Sequence, residues 1–226
     1  MVTLNNDWTH IAALVDRSGS MVSLNPATIS SELTQFIKTQ TGGKVTVSAA
    51  RFDDTYELFI DNVNASDVNI TQKDIEPRGM TALTESLCRL IDDVGEELSK
   101  MTSERPGKVI IVVLTDGEEN ASRGKYARSE GKKLLRDKIT HQREVYNWVF
   151  FFMGTNFDAV TTGTNLGIDP RTCINFGSNA EMCSKALKNI SHQVSQVRRL
   201  NKDDMQKKEK LYNSAGFSQL QRDDCA

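Results

Sequence analysis

Asp16-Arg17-Ser18-Gly19-Ser20 places one carboxylate and two hydroxyls on alternate residues. It directly follows the apolar run Ile11-Ala12-Ala13-Leu14-Val15, where a buried strand would emerge into a loop. Oxygen donors at that spacing can converge on one hard divalent cation, and an all-oxygen set suits Mg2+, Mn2+ or Ca2+ better than Zn2+. Locally, the same residues could equally cap the turn that follows. A five-residue pattern gains weight only when further donors reach it. Two other segments hold such donors: Thr81, after Arg78-Gly79-Met80, and Asp116, which follows Val109–Thr115 and precedes Gly117.

The elements that must position these residues can be read from the hydrophobic pattern. Short apolar runs alternate with longer helical patterns, which predicts an α/β fold with a mostly parallel, doubly wound central sheet and helices on both faces. His10–Val15 is the first strand. Pro26 opens a helix to about Gln40, with Ile29, Leu33, Phe36 and Ile37 at helical spacing. Val45–Phe52 and Tyr56–Val63 form a hairpin across Asp53-Asp54, which predicts one antiparallel strand at an edge. A helix runs from about Ala82 to Lys100, and Pro106-Gly107 reads as a chain break. Val109–Leu114 is continuously apolar, as a central parallel strand should be. A polar helix over about Lys125–Arg143, a buried strand Asn147–Met153, a short helix begun by Gly154-Thr155-Asn156 and a last strand Cys173–Phe176 follow. Residues 1–177 thus read as one domain.

In an open parallel sheet, ligands bind outside the carboxyl ends of the strands. Asp16, Ser18 and Ser20 follow one strand at that rim, and Asp116 ends another. Connectivity allows the Thr81 loop to return to the same rim. Over about residues 8 to 177 the chain resembles the von Willebrand factor type A (VWA) family. The likeness is carried by Asp16-x-Ser18-x-Ser20, by Gly79-Met80-Thr81-Ala82-Leu83 and by Leu114-Thr115-Asp116-Gly117. In that family these segments form a metal-ion-dependent adhesion site (MIDAS). The resemblance implies that Ser18 and Ser20 bind the cation directly, and Thr81 directly or through water. Asp16 and Asp116 would hold it directly or through ordered waters. The runs Thr115–Ser122 and Phe151–Ala159 look like small stand-alone members from bacteria and their phages.

Mg2+ keeps waters readily, so neutral hydroxyls and water-bridged carboxylates suit it. A site of this kind leaves the cation under-neutralised and able to accept a Glu or Asp from a partner protein. The function expected is a non-catalytic, metal-dependent protein-binding module. A metal-dependent hydrolase or phosphoesterase is the alternative from another class, although no His or Lys is placed by sequence beside the cluster. An adaptor for a separate AAA-type ATPase is a further alternative, since Thr41-Gly42-Gly43-Lys44 is too short for a phosphate-binding loop. Glu118, Glu119 and Ser122 read as a solvated helix start, with Ser122 as its cap, or else as a partner-selecting rim.

Composition narrows the setting. A formal net charge of −2 across 226 residues, with 26% charged, gives no support for bulk nucleic-acid or membrane-surface binding. Cys88, Cys173, Cys183 and Cys225 are scattered without metal spacing, as free thiols in a reducing compartment would be. The first residues lack the pattern of a signal peptide. The expectation is a cytoplasmic protein, in the host cytoplasm if phage-encoded. From residue 178 to 226 a C-terminal helical extension is predicted. Met182, Ala186, Leu187, Ile190, Val194 and Val197 recur at helical spacing, and a polar tail follows Leu200. That helix would complete the core or serve as a homo-oligomerising arm.

Overall fold

The computed structural model describes residues 2–226. Six strands form one sheet: β1 (Thr3–Asp16), β2 (Lys44–Phe52), β3 (Tyr56–Asn64), β4 (Glu104–Thr115), β5 (Val149–Gly154) and β6 (Cys173–Asn175). Their order is β3-β2-β1-β4-β5-β6. All pairings are parallel except β2–β3, so the antiparallel strand lies at the edge, as the hairpin pattern requires. Among the described residues, eight α-helices accompany the sheet: α1 (Pro26–Lys38), α2 (Leu83–Lys100), α3 (Arg128–Tyr146), α4 (Ala159–Asn165), α5 (Ala180–Arg199), α6 (Lys202–Gln206), α7 (Lys208–Ala215) and α8 (Gln219–Asp223).

Alternation along the strands sorts side chains to two cores. Ile11, Ala13 and Val15 of β1 join Ile110, Val112 and Leu114 of β4 against α1 and α5. Ala12 and Leu14 join Ile111 and Val113 against α2, α3 and α4. Both faces of β1 and β4 are therefore dry, which explains their uninterrupted apolar runs.

The strand order reverses between β1 and β4. The chain winds outward from β1 to β2 and β3, then crosses back through α2 to enter β4 on the other side of β1. Helices diverge at such a switch point and leave a crevice above the strand ends. Asp16 and Asp116 sit at its two lips, because Val15 pairs with Leu114.

Three sequence expectations change: the start of β1, the break at Pro106-Gly107 and the start of the helix after β5. β1 begins at Thr3 rather than His10, because Thr3, Leu4 and Asn5 pair with Glu104, Arg105 and Pro106. Pro106-Gly107 consequently lies within β4 rather than breaking the chain. It sits at a register shift, where a bulge frees a strand from full pairing and so tolerates proline. A Cβ on Gly107 would come within 2.7 Å of the Asn5 carbonyl oxygen. The polar stretch after Leu200 lies within the C-terminal helical extension expected over residues 178–226. It forms three short helices, of which α6 and α7 send Met205, Leu211, Tyr212 and Ala215 into the same core as α5. The short helix after β5 begins at Ala159, capped by Asp158, whose side chain accepts from Thr161 N.

Candidate metal centre

Asp16 leaves β1 fully buried, and its carboxylate is already half engaged. One oxygen accepts from Ser18 N at 2.6 Å and the other from Thr115 Oγ1 at 2.6 Å. Ser18 Oγ lies 3.2 Å from Ser20 Oγ, and Ser20 Oγ donates to Asp116 Oδ1 at 2.7 Å. Asp116 Oδ2 is buried and has no hydrogen-bond partner. Thr81 reaches the same place: a Cβ on Gly117 would stand 3.2 Å from Thr81 Oγ1 and 3.9 Å from Ser20 Oγ. Asp16, Ser18, Ser20, Thr81 and Asp116 thus converge from three loops at the switch point, as the sequence pattern predicts.

Backbone hydrogen bonds tie these loops together. Gly19 N donates to Gly79 O at 3.2 Å, and Arg78 N to Arg17 O at 2.7 Å. Asn120 N and Ala121 N both donate to Thr81 O, while Thr81 N donates to Asn120 Oδ1. Gly79 is demanded by geometry: its φ is +66°, and a Cβ there would come within 2.5 Å of Asp54 Oδ1 at the hairpin tip.

Burial pushes the Asp16 carboxyl up to about 6, against the hydrogen bonds from Thr115 and Ser18, and the neighbouring Asp116 pushes it the same way. Burial also raises Asp116, opposed mainly by Ser20. Two adjacent carboxylates are therefore held where they resist ionisation, and among the described residues neither has an ion-pair partner. Arg17, the one cation inside the motif, turns away. Its Nε stands 3.1 Å from Asp53 Oδ2 and its Nη2 donates to Glu57 Oε1 at 2.8 Å. Two uncompensated carboxylates, a buried unpartnered oxygen and three hydroxyls are a donor set that fits a hard divalent cation.

Arg17, Asp53, Glu57 and Arg78 shape the site but were not singled out from sequence as contributors. Arg17, itself buried, belongs to a network in which buried Asp53 accepts from Arg78 Nε at 2.6 Å and from Thr55, and the more exposed Glu57 also accepts from Arg51 and Arg78. An arginine amid oxygen ligands was the available signal, since a cation there must find its acids elsewhere. Glu119 and Ser122 do not start a helix of their own. Glu119 Oε2 accepts from Thr84 N at 2.6 Å and Ser122 Oγ from Glu85 N at 3.0 Å. They cap α2 from another segment, supplying what its own cap position, Ala82, lacks.

Solved structures share this fold. The von Willebrand factor domain of the type V pili tip protein Mfa5 from Porphyromonas gingivalis matches 89% of this chain and 98% of its own, at 10% identity and a TM-score of 0.57. The ArnB paralogue VWA2 from Sulfolobus acidocaldarius matches 84% of this chain at 16% identity and a TM-score of 0.52. This chain has the von Willebrand factor type A fold. Proximal thread matrix protein 1 from the mussel byssus, solved with a zinc-occupied MIDAS motif, matches 83% of the chain at 16% identity and a TM-score of 0.54. The chain spans under half the length of the archaeal and mussel structures, 45% and 46%. No protein-family model and no curated protein matches the sequence. Within the VWA fold, the site described here lies at the carboxyl end of β1 and β4. No helix among the described residues is long and apolar enough to cross a membrane.

Proposed function

We propose that this chain is a divalent-cation-dependent protein-binding module whose partner contributes a Glu or Asp carboxylate. The observation that carries this reading is the uncompensated Asp16–Asp116 pair with its unpartnered Oδ2, at the switch point of the sheet. Asp16, Ser18, Ser20, Thr81 and Asp116 would hold the ion. Bound there, a dication supplies positive charge and coordination positions open to an outside carboxylate. Mg2+ is the ion the oxygen donors favour, with Mn2+ or Ca2+ as substitutes. Ser20 is exposed, so the site opens to solvent. Val22 and Met80, on two of the same loops, are 67% and 50% exposed and offer apolar contact beside the carboxylate site.

The module is proposed to be non-catalytic. His10 is committed elsewhere, buried in β1 with Nδ1 2.9 Å from Thr46 Oγ1, and His141 and His192 lie on α3 and α5. The four cysteines are buried and free, which suits a reducing compartment, and we place the module in the cytoplasm.

Thermal unfolding with MgCl2, MnCl2, CaCl2 or ZnCl2, followed by pull-down in Mg2+ and in EDTA, tests the proposal. A ligand at 100 times its Kd stabilises a fold by about 2.7 kcal/mol, so saturating Mg2+ should raise Tm in the wild type and leave Asp16→Ala unmoved. Partner capture should vanish in EDTA and in Asp16→Ala. Capture that survives both overturns the proposal, as does phosphoester turnover lost in Asp116→Ala.

A further inference from the structure

The amino-terminal edge of the sheet, opposite the carboxylate site, holds a cavity of about 570 Å3. It lies between the starts of β1, β2 and β4 and the end of α5. Lys108, Arg198, Arg199 and Lys202 line it, and Asp7 is its only acid. In a chain of net charge −2, this is a local concentration of positive charge.

Lys108 is the informative residue. It stands in a central strand at 2% exposure, and its Nζ donates to Asn6 O at 2.6 Å. An ammonium has three donors and a charge to balance, and one carbonyl satisfies neither demand. Arg198 donates to the carbonyls of Thr41 and Gly42, yet its Nε is buried without a partner. Among the described residues, none of the four cations forms an ion pair. Arginines in the last turn of α5 are explained by its dipole alone. A nearly inaccessible lysine in β4 is not. Burial lowers its pKa, Asp7 opposes the fall and Arg198 adds to it, so a second anion would relieve both cations.

We infer that this cavity binds a small phosphorylated molecule carrying two or more phosphoryl groups, through Lys108, Arg198, Arg199 and Lys202. Guanidinium forks and a lysine point charge are the usual donors to phosphate oxygens. The volume falls in the range of small-molecule pockets, and a concave cavity suits a compact ligand better than a strand of nucleic acid. This site is independent of the metal centre.

Calorimetric titration in EDTA with inorganic phosphate, pyrophosphate and ATP tests the inference, with metal held away from the carboxylate site. Pyrophosphate should bind saturably and more tightly than phosphate. ATP tighter than pyrophosphate identifies a nucleotide as the source, and equal affinities identify the phosphoryl groups alone. The exposed double variant Arg199→Gln/Lys202→Gln should weaken binding at least about tenfold, a 1.4 kcal/mol loss, and Arg198→Gln should do the same. No saturable binding of any probe overturns the assignment, as does binding unchanged in both charge variants. A short single-stranded oligonucleotide that binds more tightly than ATP, and is lost in the same variants, also overturns it in favour of nucleic acid.

Discussion

Arg17 shows how a single residue can serve a site by facing away from it. Its backbone lies between two proposed ligands, while its side chain, 4% exposed, pairs with Asp53 and Glu57. The geometry of the oxygen cluster is thereby clamped to the β2–β3 hairpin and, through Arg78, to the Gly79 loop. Asp53 illustrates the electrostatic balance. Burial alone would raise its carboxyl, but hydrogen bonds from Thr55 and Arg78 and the charge of Arg17 outweigh it and bring it to about 2. Breaking one partner of a buried pair costs about 3–5 kcal/mol. Arg17→Met should fall at the lower end, about 3 kcal/mol by chemical denaturation, because Arg78 and Thr55 remain on Asp53. It should also weaken Mg2+ binding although no ligand has been removed. A variant as stable as the wild type would show that the clamp is dispensable. Asp16, Ser18 and Ser20 were legible because a ligand set is written in residue types and spacing. The clamp was not, because its acids lie 36 or more positions away in the chain.

At the scale of elements, β1 carries an ionisable group in a dry position. His10 is 1% exposed, and burial lowers its pKa from 6.5 to about 4. The folded state therefore holds the neutral ring while the unfolded chain takes up a proton below pH 6.5. Stability from this residue is complete above that value and is lost as pH falls toward 4. At 1.36 kcal/mol per pKa unit the loss approaches about 3 kcal/mol. Denaturation at pH 7 and pH 4.5 should show the wild type losing about 2–3 kcal/mol more than His10→Gln. Equal losses would mean that the ring is not kept neutral by the fold. The strands themselves were largely legible, since two dry faces force continuous apolar residues. The first half of β1 was not, because Thr3–Asp7 is mostly polar and its backbone pairing is with a partner about a hundred residues later. The start of α2 has the same character: its cap comes from Glu119 and Ser122, which no local pattern could assign to it.

For the whole molecule, the stretch after Gly177 shares the core of the sheet. Leu187, Ile190, Val194, Val197, Leu211 and Tyr212 pack in the cluster that contains Ile11 and Val112, and the face that α5 could have shown to a second copy is turned inward. Burying each such side chain contributes roughly 1.5–3 kcal/mol, so the six together match the ~5–15 kcal/mol net stability of a typical domain. A chain stopped at Gly177 should therefore lose cooperative unfolding by circular dichroism and aggregate on size exclusion. A truncated chain that stays monomeric with a sharp transition would show that the helices are an accessory layer.

The sequence by itself determined the period of each main element, the parallel-sheet class and the residue types at the oxygen-rich loops, because these depend on local sterics, alternation and ligand chemistry. Tertiary structure alone decided that β1 and β4 lie side by side at the reversal of strand order. It also decided that Asp116 keeps a buried oxygen unpartnered, that Arg17 faces its acids rather than its neighbours, and that Lys108 and Arg198 meet in one cavity. Each of these joins segments far apart in the chain, and their encounter is set by packing around the sheet rather than by any local preference.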